Sequence, residues 1–208
     1  MSQEALVCII DDDEAIRESL RLLLYAGGVS SCVYESADAF LADPEPQAFD
    51  CMLLDIRMPG TDGLELFRIL NRRHLAFPVI FITGHGDIPL AVSAIKRGAY
   101  DFLTKPFREG EILERVQAAI EFYRSEKKYL LELQDLQGRV DSCTPRERDV
   151  MSLLATGLPN KGIAEALGIS PRTVEIHRAH LMEKMAADSL PSLVKMIALL
   201  EAENPEND

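Results

Sequence analysis

Between Leu6 and Leu103 short apolar runs alternate with longer amphipathic stretches. The runs are Leu6 to Ile10, Val29 to Tyr34, Cys51 to Leu54, Val79 to Ile82 and Asp101 to Leu103. Side chains that are apolar at consecutive positions bury both faces of a strand, and that happens when helices cover the sheet on each side. The stretches between the runs are long enough for crossover helices, so the pattern predicts five parallel strands in an α/β sheet. Ile16, Leu20, Leu23 and Leu24 recur at helical spacing and stop at Gly27-Gly28. Leu64, Phe67 and Leu70 repeat the period, as do Leu90, Ala91, Ala94 and Ile95, with Pro89 at a first-turn position and Gly98 beyond. Residues 1–122 are expected to form this domain.

Beyond Pro106 the period lengthens into one helix. Ile112, Val116, Ile120 and Tyr123 recur every three or four residues, and the charged run from Arg124 to Glu132 meets no Pro or Gly before Gly138. A linker helix over residues 123–140, continuous to about Leu136, is expected. The rest, residues 141–208, reads as all helical. Thr144-Pro145-Arg146-Glu147 combines a capping box with a first-turn proline, and Ser170-Pro171 repeats the cap and proline. Asn160 is placed as a cap and Gly168 as a stop, which predicts helices at 145–156, 160–167, 171–185 and 189–201. The tight step Leu167-Gly168-Ile169-Ser170 between the second and third is a helix-turn-helix connection.

Composition narrows the function classes. With 47% hydrophobic and 27% charged residues the chain can build a core. The net charge of −12 argues against nucleic acid in bulk, but between Thr144 and Leu200 seven residues are basic and six acidic, which keeps DNA open to that segment. Cys8, Cys32, Cys51 and Cys143 form no CxxC pair, so buried thiols are expected rather than a disulfide framework or a zinc site. No apolar run approaches the length of a membrane span, and the start Met1-Ser2-Gln3-Glu4 lacks a basic leader, so a soluble cytoplasmic protein with no membrane partner is expected.

In an open parallel sheet, functional groups gather at the carboxyl ends of the strands. The first strand here ends in Asp11-Asp12-Asp13, the third in Asp55, the fourth in Thr83, and the last is followed by Lys105-Pro106. Each alone has a plainer reading, since an aspartate run after a strand commonly caps a helix and a rim lysine is commonly a solvated charge. Together they form a coherent set. Neighbouring carboxylates repel unless a cation neutralises them, and oxygen-only ligands favour Mg²⁺. A lysine and a hydroxyl supply the charge and hydrogen bonds that a transferring phosphoryl group needs, so the set looks like a site for an aspartyl phosphate.

The segments Ile10 to Asp13, Leu54-Asp55-Ile56-Arg57-Met58-Pro59-Gly60, Phe81-Ile82-Thr83-Gly84-His85-Gly86-Asp87 and Asp101-Phe102-Leu103-Thr104-Lys105-Pro106-Phe107 resemble the receiver domain of two-component response regulators. The resemblance implies a doubly wound, flavodoxin-like sheet with Asp55 as phosphoacceptor. It implies that Asp11, Asp12, Asp55 and the carbonyl of Arg57 hold Mg²⁺, and that Thr83 and Lys105 contact the phosphoryl oxygens. It also implies a switch in which Thr83 moves toward the phosphoryl group and Phe102 turns inward, and a cis bond before Pro106. Arg57 and His85, at the mouth of the site, are expected to set the rate of slow autodephosphorylation.

Leu158 to Ala164 and Ser170 to Arg178 resemble the LuxR/NarL-type output domain, and together with Thr83 to Asp87 they look most like the FixJ subgroup. On the helix that starts at Pro171, Val174, His177, Leu181 and Lys184 share one side by spacing. Thr173, Glu175, Ile176 and Ala179, with Arg172, lie on other sides and are assigned to the DNA, where Glu175 can accept from cytosine and Ile176 can meet a thymine methyl. Lys161, Arg172, Arg178 and Lys184 are the expected phosphate contacts. Glu175 stands where relatives such as NarL commonly have lysine, so weak binding by a single copy and a need for dimerisation follow.

The function expected from these resemblances is transcription control. A sensor histidine kinase phosphorylates Asp55, the protein forms a homodimer, and the dimer binds double-stranded promoter DNA. Two other readings use the same residues. A Mg²⁺-dependent phosphohydrolase with Asp55 as nucleophile would need an acid/base aspartate two residues on, where this chain has Arg57. A constitutive DNA binder would use the first domain only as a dimer surface and leave the carboxylate set without a role.

Overall fold

The computed structural model describes residues 4–43, 48–74, 77–84 and 87–203. In chain order the elements are β1 (Leu6–Ile10), α1 (Glu14–Ala26), β2 (Ser30–Tyr34), α2 (Ala37–Leu41), β3 (Cys51–Asp55), α3 (Gly63–Arg72), β4 (Val79–Thr83), α4 (Ile88–Ile95), β5 (Asp101–Thr104), α5 (Glu109–Ser142), α6 (Pro145–Ala155), α7 (Asn160–Leu167), α8 (Pro171–Lys184) and α9 (Leu190–Glu203). They divide into two compact units, Met1–Glu126 and Lys127–Asp208.

In the first unit all strand pairings are parallel, in the order β2-β1-β3-β4-β5. Alternation along the strands splits the apolar residues between two layers. Cys8, Ile10, Met52, Leu54 and Phe81 pack with Phe40 of α2, with Leu66, Phe67 and Leu70 of α3, and with Ala91 and Ala94 of α4. Val7, Ile9, Leu53, Ile80 and Ile82 pack with Leu20 and Leu24 of α1 and with Ile112, Val116 and Ile120 of α5. The consecutive apolar runs are therefore two interleaved faces, each covered by helices. The order in which strands are added reverses between β1 and β3, with β2 laid outside β1 and β4 outside β3, and this reversal leaves a crevice at the carboxyl ends of those two strands.

Local chemistry starts the helices. Asp13, Ser36 and Asp62 lie in extended backbone just before α1, α2 and α3, and each side chain accepts a first-turn amide. Gly63 opens α3 hard against the carbonyl of Asp55, and a Cβ at that position would collide with this backbone oxygen. α3 can approach the end of β3 only with no side chain at its first residue.

The helix after β5 is longer than its sequence predicts. The sequence predicts a helix continuous to about Leu136, yet α5 runs through Gly138 to Ser142, because an isolated glycine costs a helix only about 1 kcal/mol and Leu136 and Val140 gain burial in the second core. These two residues lie inside the stretch expected to be a linker.

The second unit packs α6 to α9 around Val150, Leu154, Ile163, Val174, Leu181, Met185, Leu193 and Ile197. Thr144 and Glu147 form the full capping box of α6. α7 ends at Gly168 in the left-handed conformation, with the Ile169 N–H reaching back to the Ala164 carbonyl at 3.0 Å, and Ser170 then caps α8. Asn160 does not act as the expected cap. Pro159 occupies that position in extended backbone, and the Asn160 side-chain oxygen instead accepts from Arg178 Nη1 at 3.1 Å.

Glu147 also has a second role. Its buried carboxylate receives the Lys184 ammonium at 2.6 Å and the Thr144 backbone N–H at 2.8 Å. The lysine first, then the amide, hold its carboxyl down to about 2.

Two outcomes are expected from this architecture. Gly63→Ala forces α3 away from Asp55 and should cost about 2 kcal/mol or more of stability, seen as a lower urea midpoint. Because the Glu147 carboxyl titrates lower when folded, the stability it adds is complete above the ordinary carboxylate range and fades as the pH falls toward 2. Glu147→Gln should therefore lower stability by about 2 kcal/mol at neutral pH, and thermal melts of the two proteins should converge toward pH 2.

Candidate phosphoacceptor and nucleic-acid sites

The crevice at the strand-order reversal holds the acidic residues that the sequence singles out. Asp11 follows β1 directly and is fully buried, and Asp55 ends β3 and is nearly so. The Lys105 ammonium reaches in from the end of β5 and bridges them, at 2.7 Å from Asp11 Oδ2 and 2.6 Å from Asp55 Oδ1. The other oxygen of Asp55 accepts the Arg57 backbone N–H at 2.7 Å, and Asp11 Oδ1 accepts from Asp13 N–H at 2.9 Å. Burial pushes the Asp55 carboxyl up, the Lys105 hydrogen bond pulls it back, and the Asp11 charge adds to the rise, leaving it above the ordinary value. For Lys105 burial opposes the charge, but its hydrogen bonds to Asp11 and Asp55 outweigh burial and raise the ammonium above its usual value.

Within the aspartate run the three residues divide their work. Asp11 points into the crevice, Asp13 caps α1, and Asp12 is exposed between them. Among the described residues no cluster of three or more His, Cys, Asp or Glu is arranged to hold a metal. The donor chemistry nevertheless suits a hard cation. Two buried carboxylates already share one positive charge, and Mg²⁺ commonly takes only one or two carboxylates and fills its remaining positions with water.

Thr83 ends β4 fully buried, and its hydroxyl donates to the Gly84 carbonyl at 2.8 Å rather than to Asp55. Phe102 lies opposite Phe81 in the β4/β5 register and packs partly buried against the core. The peptide bond before Pro106 is cis, as the resemblance implies. The Arg57 side chain turns outward to Asp87, with Nε at 2.8 Å and Nη2 at 2.7 Å from Oδ1. His85 lies outside the described residues. Asp87 and Gly63 carry no sequence signal of their tertiary contacts, since one stands just before a helix with proline in its first turn and the other just after the capping Asp62.

In the second unit α8 turns Val174 and Leu181 into the core and leaves Arg172, Glu175, Ile176 and Ala179 exposed, with Thr173 half-buried. Lys161, on α7, is exposed, and Arg178 is half-buried against Asn160. Lys184 departs from its expected place. Its ammonium is held by Glu147 and by the Ser142 carbonyl at 3.1 Å, on the side of α8 that faces its own fold. Spacing had already put Lys184 on the core side, and the buried Glu147 carboxylate gives it a partner there. Cys8, Cys51 and Cys143 are buried and Cys32 is half-buried, all as free thiols. No helix among the described residues is long and apolar enough to cross a membrane.

Comparison with known proteins accounts for both units. Residues 7–117 match the response regulator receiver domain, and residues 141–197 match the bacterial regulatory proteins of the luxR family. The transcriptional regulatory protein FixJ of Azorhizobium caulinodans is 46% identical over 208 residues, covering 100% of this chain and 98% of that protein. The solved structure of the response regulator StyR superimposes with a TM-score of 0.83 at 37% identity, covering 94% of this chain and 99% of the other. Full-length FixJ from B. japonicum aligns with a TM-score of 0.63 at 42% identity, covering 97% and 99%. A receiver built on paired carboxylates and a luxR-type helix-turn-helix domain thus share one chain, and the protein is a FixJ-like member of the response regulator family.

Proposed function

We propose that Asp55 accepts a phosphoryl group from a sensor histidine kinase and that the modified protein dimerises and binds promoter DNA. The observation that carries this reading is the Lys105 ammonium held between Asp11 and Asp55 at 2.7 and 2.6 Å. A carboxylate that attacks phosphorus needs a fixed cation beside it, and its own charge must remain available at neutral pH. An Asp55 oxygen forms the new P–O bond as the donor's P–N bond breaks, and Lys105 remains on the anionic side to balance the added charge. Asp11, Asp12, Asp55 and the Arg57 carbonyl would hold Mg²⁺, whose charge on the phosphoryl oxygens would lower the barrier to transfer. Thr83, buried one strand away, would turn from the Gly84 carbonyl toward the phosphoryl group, with Phe102 following. Arg57, exposed at the mouth beside Asp55, and His85 would set how fast water removes the phosphoryl group.

Ile88, Val92 and Ile95 stand exposed along one side of α4 and supply an apolar surface for the dimer. In the output domain Thr173, Glu175, Ile176 and Ala179 would face base edges in the major groove, with Lys161, Arg172 and Arg178 on phosphates. Lys184 drops out of that set because of its internal ion pair. Nothing here calls for steady ester turnover, since Arg57 occupies the place of a second acid/base carboxylate.

With Mg²⁺ and radiolabelled acetyl phosphate the parent should take up label at one site, and Asp55→Asn or excess EDTA should abolish it. Labelling of Asp55→Asn, together with an unchanged shift of operator DNA, would sink the proposal. Arg172→Ala should weaken binding about equally across DNA sequences and reduce the slope of log affinity against log salt by about 1. Titrations at several salt concentrations measure both.

A further inference from the structure

α4 starts differently from the other capped helices. Asp13, Ser36, Asp62, Thr144 and Ser170 all lie in extended backbone, and each accepts an amide from the first turn that it precedes. Asp87 occupies the same position before α4, with a carboxylate that is among the best capping groups, yet it makes no side-chain cap, and its backbone, at φ −105° and ψ 4°, is not extended. Its carboxylate is spent on Arg57 instead. The pair is lopsided, because the Asp87 side chain is 9% exposed and that of Arg57 is 71% exposed. The buried partner is fixed, and the outer one is free to swing away.

The Arg57 main chain belongs to the phosphoacceptor, since its N–H holds an oxygen of Asp55. One residue thus touches Asp55 through its backbone and the start of α4 through its side chain. Pro89 offers no N–H, so the first-turn amide within reach of a capping Asp87 is that of Leu90. The carboxylate has two possible partners, and it can satisfy only one at a time.

From this we infer that Asp87 is a two-position latch. Paired with Arg57 it holds α4 uncapped in the resting protein, and released it caps α4 at Leu90 and stabilises the altered start of the helix that carries Ile88, Val92 and Ile95. This rests on the proposed phosphorylation of Asp55. A phosphoryl group there places a dianion within range of the Arg57 guanidinium and competes with Asp87 for it, by stronger charge-assisted hydrogen bonds. Arg57 is then a positioning residue, acting on α4 through Asp87.

The test uses the full chain, with and without beryllofluoride and Mg²⁺, and reads dimer fraction by sedimentation and amide exchange at Leu90. Arg57→Gln and Asp87→Asn both break the ion pair and keep a side chain able to cap. Each should raise the dimer fraction severalfold without beryllofluoride and slow exchange at Leu90. Asp87→Ala breaks the pair but leaves no side chain to cap, so exchange at Leu90 should remain as fast as in the resting parent and the dimer fraction should stay below that of the other two. If the parent responds to beryllofluoride but Arg57→Gln and Asp87→Asn match the resting parent in both measurements, the latch is overturned while the phosphoacceptor reading stands. If the parent itself gives no response, that reading falls and the latch with it.

Discussion

Two carboxylates buried side by side in a protein repel each other and lose their hydration, and only a cation set between them makes the arrangement tolerable. Here that cation is the Lys105 ammonium, and much of the first unit can be understood as what it takes to bring it there. The strand order must reverse between β1 and β3 so that Asp11 and Asp55 face one crevice. β5 must lie two strands from β3, with Lys105 just past its end, for the lysine to reach back to both carboxylates. α3 must begin on a residue without a side chain to lie close behind Asp55. The two layers of aliphatic packing hold these strand ends in register.

The fold was largely legible because strand burial and helical spacing leave strong marks on a sequence. The runs at Cys51 and Val79 are fully buried and were unmistakable, whereas α2 is only one turn and leaves too few residues to show a period. The site was legible where residues sit at strand ends, since Asp11, Asp55 and Lys105 meet in one crevice and Thr83 ends the neighbouring β4. It was not legible where a side chain chooses between a local and a distant partner. Asp87 stands at a cap position but is an ion-pair partner, Asn160 reads as a cap and holds Arg178, and Lys184 reads as a phosphate contact and lies against Glu147. In each case short polar chemistry offers two solutions of similar energy, and only the tertiary neighbours decide.

The second unit handles charge differently from the first. Its buried carboxylate, Glu147, is pinned by a lysine, a backbone amide and the capping threonine, so it remains ionised deep into acid. Asp55 is displaced in the opposite direction, toward the protonated form. One carboxylate is fully satisfied and serves stability, and the other retains an unmet demand for positive charge. That contrast separates a structural acid from one suited to chemistry.

The outward side chains of α8 contribute nothing to the core that holds the helix in place, since Arg172, Glu175, Ile176 and Ala179 all stand clear of it. The helix is anchored by Val174 and Leu181 and aimed by the left-handed glycine at 168. On the proposed reading, recognition and foldedness are written in different letters of the same helix, so descendants of this gene can drift toward new targets through substitutions that folding does not oppose.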